Sequence, residues 1–251
     1  MKVVELFQKL NELYPIDSQD EWDKSGYWDF GFDNEISNPI LSLDISLSSV
    51  NFAIENNSNL IISHHPIFIN DDDLKQKHIK EILSKLKKNS ISVISLHTCF
   101  DKHRYGTSYQ IIKNIKGFNI FKFDKSPYLF LGKSKSKISL EDLIIRIKKN
   151  LDIESVNTIE TELDFRSKKN LTIAVAAGAG STEIDLIRKK DKVDYFITSE
   201  IKWHTWVKNQ TMSFKILEIP HSSEKVFLKT IKEKFRDISF VEFIPKKLIS
   251  L

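Results

Sequence analysis

The chain has 251 residues, 38 of them basic and 34 acidic, giving a formal net charge of +4, and one cysteine, Cys99. That length holds one large α/β domain or two smaller intertwined halves around a buried core, and the near balance of charge gives no case for general nucleic-acid binding. A lone cysteine excludes an internal disulfide framework. With no secretory leader pattern, and no apolar run near the roughly 18 residues that cross a bilayer, the expected setting is a reducing cytoplasm away from membranes.

In chain order, Val3, Leu6, Phe7, Leu10 and Leu13 form a helical stripe that Pro15 ends. Trp22, Asp23, Gly26, Trp28, Phe30 and Gly31 then read as a loop or short strand. Ile40 to Ile45 reads as a strand, with Ser48 as the N-cap of a helix through Val50, Ala53 and Ile54. Asn59 to Ile62 is a short, continuously apolar strand that stops at Ser63, His64, His65 and Pro66. A helix from about Lys75 to Lys88 and a strand from Ile91 to Leu96 follow, with polar residues at His97 to Asp101.

The second half repeats this grammar. A strand is expected near Tyr128 to Leu131, and Ser139 with Asp142 three residues on marks a helix start. Thr172 to Ala176 is a strand leading into Gly178, Ala179, Gly180 and Ser181, with a helix expected from Glu183 to Lys190. Tyr195 to Thr198 and Lys215 to Ile219 are strands. A helix holding Glu200 and His204 follows the first of these, and a helix from Glu224 to Phe235 follows the second. Phe240 to Phe243 closes the pattern. Alternation of strand, polar tip and helix signals an α/β fold, here as two similar halves, 1–125 and 126–251. The lysines from Lys133 to Lys137, and those at 168, 169, 189 and 190, read as solvated faces.

The chemistry gathers at the strand tips, where open α/β sheets place their sites. His64 and His65 are adjacent, so a straight strand would point them apart; at a strand end, where the backbone turns before Pro66, both can face one site. Asp101 adds a hard oxygen ligand near the next strand end. His97 is either a further ligand or a group that orients one. His221 and Glu224 add an imidazole and a carboxylate three residues apart at a strand-to-helix junction. Three imidazoles and two carboxylates suffice for two divalent ions, and zinc, iron, manganese or nickel all suit the donors. Paired ions about 3.5–4 Å apart activate water and polarise a phosphoryl or carbonyl oxygen, so hydrolysis follows from such a site. The glycines of residues 178–181 form either an anion cradle or a tight connection. Cys99 reads as buried and inert.

Glu21-Trp22-Asp23 with Gly26, Ile61 to Pro66, His97-Thr98 with Asp101, Gly178 to Ser181, Asp194 to Thr198 with Glu200 and His204, and His221 with Glu224 and Lys225 occur in this order. Through them the chain resembles, almost end to end, the Nif-three-like family, also named GTP cyclohydrolase I type 2 homologues. The resemblance implies two similar, partly intertwined α/β halves with a dinuclear metal site in the cleft between them, and a ring-shaped homohexamer. It carries His64, His65, Asp101, His221 and Glu224 over as ligands, with His97 close by. The chain departs from the family pattern in the step from His221 to Glu224, three residues where four are usual. Lys24 stands for an asparagine, and Cys99-Phe100 for Asn-Leu.

The leading expectation is a metal-dependent hydrolase acting on a nucleotide or other phosphorylated small molecule. His97 or His204 would shuttle the proton, and Lys24 or Arg104 would contact an anion. The alternative is a non-catalytic metal-binding ring with an assembly or regulatory role.

Overall fold

The computed structural model describes residues 1–31, 34–159 and 164–244. Its strands are β1 (Gly26–Trp28), β2 (Ile40–Ser42), β3 (Leu60–Ser63), β4 (Ser92–Ser95), β5 (Phe118–Lys122), β6 (Leu129–Ser134), β7 (Thr172–Ala176), β8 (Tyr195–Thr198), β9 (Lys215–Glu218) and β10 (Val241–Phe243). Its helices are α1 (Val3–Leu13), α2 (Leu47–Glu55), α3 (Lys77–Lys88), α4 (Thr98–Asp101), α5 (Thr107–Ile115), α6 (Leu140–Leu151), α7 (Trp203–Asn209) and α8 (Val226–Lys234). Among the described residues, no helix is long and apolar enough to cross a membrane.

The chain forms two compact units, one of Met1–His103 with the chain from Phe227 onward, the other of Arg104–Val226. The boundaries differ from the expected division at residue 125 because cores decide them. Ile111, Ile112, Ile115 and Phe118 pack with Phe130 and Ile173, so α5 and β5 belong with the second unit. Phe227, Leu228, Ile231 and Phe235 pack with Leu6, Leu10 and Ile62, which returns the C-terminal segment to the first.

The first unit is built on a five-stranded sheet in the order β1-β4-β3-β2-β10, with β1 antiparallel and the rest parallel. Leu60–Ser63 and Ser92–Ser95 are buried at every position, as strands covered on both faces must be. Leu41, Leu60, Ile62 and Ile94 face the core that α1 and α8 fill. Ile40, Ile61 and Val93 face the core filled by α2 and α3. Adjacent residues thus feed opposite layers, the period of two that a strand imposes.

The second unit has the order β5-β6-β7-β8-β9, with β7, β8 and β9 parallel and β5 and β6 antiparallel. Helices α5 and α6 cover one face. Ile184, Ile187 and Phe214 lie on the other. Both units therefore share a run of three successive parallel strands. The antiparallel neighbour lies beside the last of the run in one unit and beside the first in the other.

Helix α1 spans the residues its apolar stripe marks, and Ser139 caps α6 by accepting from the Asp142 amide at 3.1 Å. Four expectations are corrected. The helix expected to hold Glu200 and His204 starts at Trp203, so Glu200 lies outside it. Ser46, not Ser48, caps α2: it holds extended backbone and accepts from the Ser49 amide. The helix expected from Glu183 to Lys190 is two 3-10 turns, Gly180–Leu186 and Lys189–Asp191. Its packed residues Ile184 and Ile187 are three apart, and the Asp191 carboxylate takes the Arg188 amide at 2.7 Å to close a separate turn. The C-terminal helix starts at Val226, after a 3-10 turn over His221–Lys225. Helix α5 is not evident in the sequence because Thr107, Ser108 and Gln110, polar residues, are buried and blur its stripe.

Tyr14 and Cys99 lie in the core of the first unit. Burial pushes both acids up to about 12, with the Asp23 and Asp101 charges adding to the effect on the thiol. A raised folded-state pKa stabilises fully below the unfolded value and is lost as pH climbs toward the folded one. The urea midpoint should therefore fall as pH rises from about 9 toward 12, and Cys99→Ala should flatten the first part of that decline, measured by circular dichroism at fixed ionic strength.

Candidate metal centre

In the first unit the run of parallel strands delivers its donors beyond its carboxyl ends. Asp44 lies two residues past β2, His64 and His65 directly follow β3, His97 lies two residues past β4, and Asp101 ends α4. The adjacent histidines do face one cluster: their ring centroids are 4.9 Å apart, and each lies 5.3 Å from His97. A turn makes this possible. The His65 amide donates back to Leu43 while Ser63 is still paired in the sheet.

Each imidazole of the pair is oriented through Nδ1. His64 Nδ1 donates to the Leu96 carbonyl at 2.9 Å, and His65 Nδ1 donates to Asp44 Oδ1 at 2.7 Å. Acceptors at Nδ1 fix the tautomer that leaves the lone pair on Nε2. His64 Nε2 stands 3.5 Å from Asp101 Oδ1. Phe100 and Phe227 pack on the fully buried His64 ring, at 5.9 and 5.2 Å between centroids. His64, His65 and His97 each offer a ligand atom, and these atoms lie within 4.8 Å of one another. Nitrogen donors so grouped, with a carboxylate beside them, fit a divalent transition ion.

His97 is held from behind. Its Nδ1 is 3.4 Å from Asp23 Oδ1, and its ring packs edge-to-face with Trp22, 5.6 Å between centroids. Asp23 Oδ2 accepts from the Thr98 amide at 2.8 Å and from the Thr98 hydroxyl at 2.5 Å, and Oδ1 accepts from the Ser25 amide and hydroxyl. Burial would raise the Asp23 carboxyl, but the close approach of the His97 ring and the bonds from Thr98 outweigh it and hold its pKa well below the usual range. The buried acid is therefore ionised beside the imidazole.

The second unit repeats the design. Gly178 lies two residues past β7, Glu200 two past β8, and His221 three past β9. His221 Nδ1 donates to Glu200 Oε1 at 2.6 Å, while Nε2 lies 2.9 Å from Glu224 Oε2. The short step between His221 and Glu224 is accommodated by the 3-10 turn they occupy, because three residues per turn bring positions i and i+3 into line. Glu200 takes φ +56°, a left-handed backbone that a side chain rarely adopts, and it does so at the residue that orients His221. Gly178 takes φ +60°, and a Cβ there would collide with Glu224 Oε1 and come within 3.4 Å of His221 Nε2. The glycine turn thus leaves room for these two side chains.

Residues 1–247 match the family described as Duf34/NIF3 (NGG1p interacting factor 3). The chain belongs to this family. A Ureaplasma parvum protein called GTP cyclohydrolase 1 type 2 homolog is 34% identical over 93% of this chain and 89% of its own. A Mycoplasmopsis pulmonis protein of the same name is 33% identical over 96% and 98%. The crystal structure of a Staphylococcus aureus hypothetical protein superposes with a TM-score of 0.78 at 25% identity, covering 94% of this chain and 91% of that one.

Within this Duf34/NIF3 chain, the two orienting acids are absent from the donor set expected from sequence. Asp44 and Glu200 each stand two residues beyond a strand end, the one signal that points to them. His204 is exposed on α7 and belongs to no metal-ligating group among the described residues. Lys24 pairs with Asp71 at 3.0 Å, and Arg104 donates to the Tyr105 hydroxyl at 2.7 Å. Both cations named as anion contacts thus have partners of their own.

Removing an outer carboxylate should weaken metal binding without removing a ligand: Asp44→Ala and Glu200→Ala should each lower affinity about 10- to 100-fold in competition with a chelator. Gly178→Ala should destabilise by about 1–3 kcal/mol in urea unfolding and weaken metal binding too, because strain and the Glu224 clash act together. Asp23→Ala should destabilise by about 2–3 kcal/mol in the same assay, since it strands the Thr98 amide and hydroxyl.

Proposed function

We propose that the protein binds two divalent metal ions through His64, His65, Asp101, His221 and Glu224, and acts as a metal-dependent hydrolase on a nucleotide or other phosphorylated small molecule. The observation that carries this reading is the orientation of the donors. His64, His65 and His221 each have Nδ1 engaged by an oxygen acceptor, and His64 and His221 each present Nε2 toward a carboxylate, at 3.5 and 2.9 Å. Histidines used only for packing have no need of that pattern. The relatives' name directs the substrate class toward purine nucleotides.

Bound ions would supply Lewis acidity, polarising a phosphoryl or carbonyl oxygen and acidifying water. The chain's own residues do the rest. Asp44 holds the His65 imidazole in its ligating tautomer, and Glu200 orients the ring of His221. His97, backed by ionised Asp23, is the group placed to hold a proton and pass it on. The geometry favours His97 over His204 for that role, since His204 stands outside the donor groups. A ring-shaped hexamer in the cytoplasm belongs to the same proposal, with light scattering as its check.

Elemental analysis should find two ions per chain, fewer in His221→Ala. Metal-loaded protein should turn over members of a nucleotide and phosphoester panel. His65→Ala should abolish that turnover, while His97→Ala should keep its metal and lose about 10²- to 10⁴-fold in kcat. No turnover with zinc, iron, manganese or nickel would sink the hydrolase reading. If chelation then lowered the melting temperature or split the oligomer, the metal would be structural.

A further inference from the structure

The three donor-bearing strands of the first unit all end in serine, and the serines are in register. Ser42 lies across from Ser63, and Ser63 across from Ser95. All three are completely buried. Each stands two residues before a functional side chain: Ser42 before Asp44, Ser63 before His65 and Ser95 before His97. Buried strand positions ordinarily favour branched or aromatic side chains, so packing alone does not call for a row of small hydroxyls.

Their hydrogen bonds show what they hold. Ser42 Oγ donates to the Asp44 carbonyl at 2.7 Å, and Ser63 Oγ donates to the His65 carbonyl at 2.7 Å. Ser63 and Ser95 are 3.0 Å apart, oxygen to oxygen. A hydroxyl has one proton. With that of Ser63 directed to His65, Ser95 must donate to Ser63. The result is a directed chain from Ser95 through Ser63 to the backbone of His65, in which each bond polarises the next. In the second unit Thr198 also ends a strand two residues before Glu200, and its hydroxyl donates to the Gly178 carbonyl at 3.3 Å.

We propose that Ser42, Ser63 and Ser95 are positioning residues for the metal centre. Ser42 and Ser63 bend the chain immediately past β2 and β3 into the turns that aim Asp44 and His65, Ser95 anchors Ser63 from the neighbouring strand, and together they set metal affinity and ligand geometry from beneath the ligands. This rests on the metal-binding reading above.

The test compares Ser63→Ala and Ser42→Ala with Ser58→Ala in the full chain. Ser58 makes the same bond, its hydroxyl to the Leu60 carbonyl at 2.9 Å, but at the amino end of β3 and away from the donors. Metal-free protein is titrated with Co²⁺, reading affinity by chelator competition and coordination by the visible d–d spectrum. Ser63→Ala and Ser42→Ala should lose about 10- to 100-fold in affinity and shift the spectrum, whereas Ser58→Ala should lower the metal-free melting temperature but stay within about twofold of the parent. Unchanged affinity and spectrum in Ser63→Ala and Ser42→Ala, or an equal loss in Ser58→Ala, overturns the proposal. Should Ser63→Ala fail to fold, Ser42→Ala decides by the same criteria. A parent chain that does not bind Co²⁺ rejects the metal-binding reading itself, and this inference with it.

Discussion

Parallel pairing of successive strands is the constraint on which the rest depends. Neighbouring strands run about 4.8 Å apart and end on the same edge of the sheet, so the short turns that follow them must converge. In the first unit β2, β3 and β4 bring Asp44, the His64-His65 pair and His97 to one edge. In the second, β7, β8 and β9 bring Gly178, Glu200 and His221 together in the same way. An antiparallel meander would send alternate tips to opposite ends. The fold therefore makes the cluster cheap to assemble from residues far apart in the chain.

Convergence alone does not make a ligand. An imidazole binds a metal through a nitrogen that lacks a proton, and which nitrogen that is depends on what the other one meets. A backbone carbonyl for His64 and a carboxylate for His65 settle the question without help from an ion, whereas His221 meets a carboxylate at each nitrogen. Glu200 accepts backbone strain to reach its histidine. Strain of this kind persists only where surrounding structure outweighs it, and here β8 and its neighbours supply that support.

The turn over His221–Lys225 shows how local geometry and spacing trade against each other. On an α-helix, residues three and four apart are both near neighbours, at about 100° per residue. A 3-10 turn puts the third residue directly in line. A step of only three residues between histidine and glutamate can thus keep the pair together by tightening the turn.

Much of this was legible in the sequence. The short, branched apolar runs at residues 60–62, 173–176 and 195–197 read as buried strands from their length and composition, and the stripe from Val3 to Leu13 reads as a helix from its period, both local properties. The histidine doublet after such a strand pointed to a site for the same reason. Tertiary structure decided the remainder. Which half owns α5 and the C-terminal helix depended on which core their apolar faces completed. That Asp44 and Glu200 orient imidazoles depended on strand register, which brings together residues 21 positions apart in each case. Composition and spacing name the donor types, but the atom each donor turns toward its neighbours is set by hydrogen bonds across the sheet edge, and those exist only once the strands have paired.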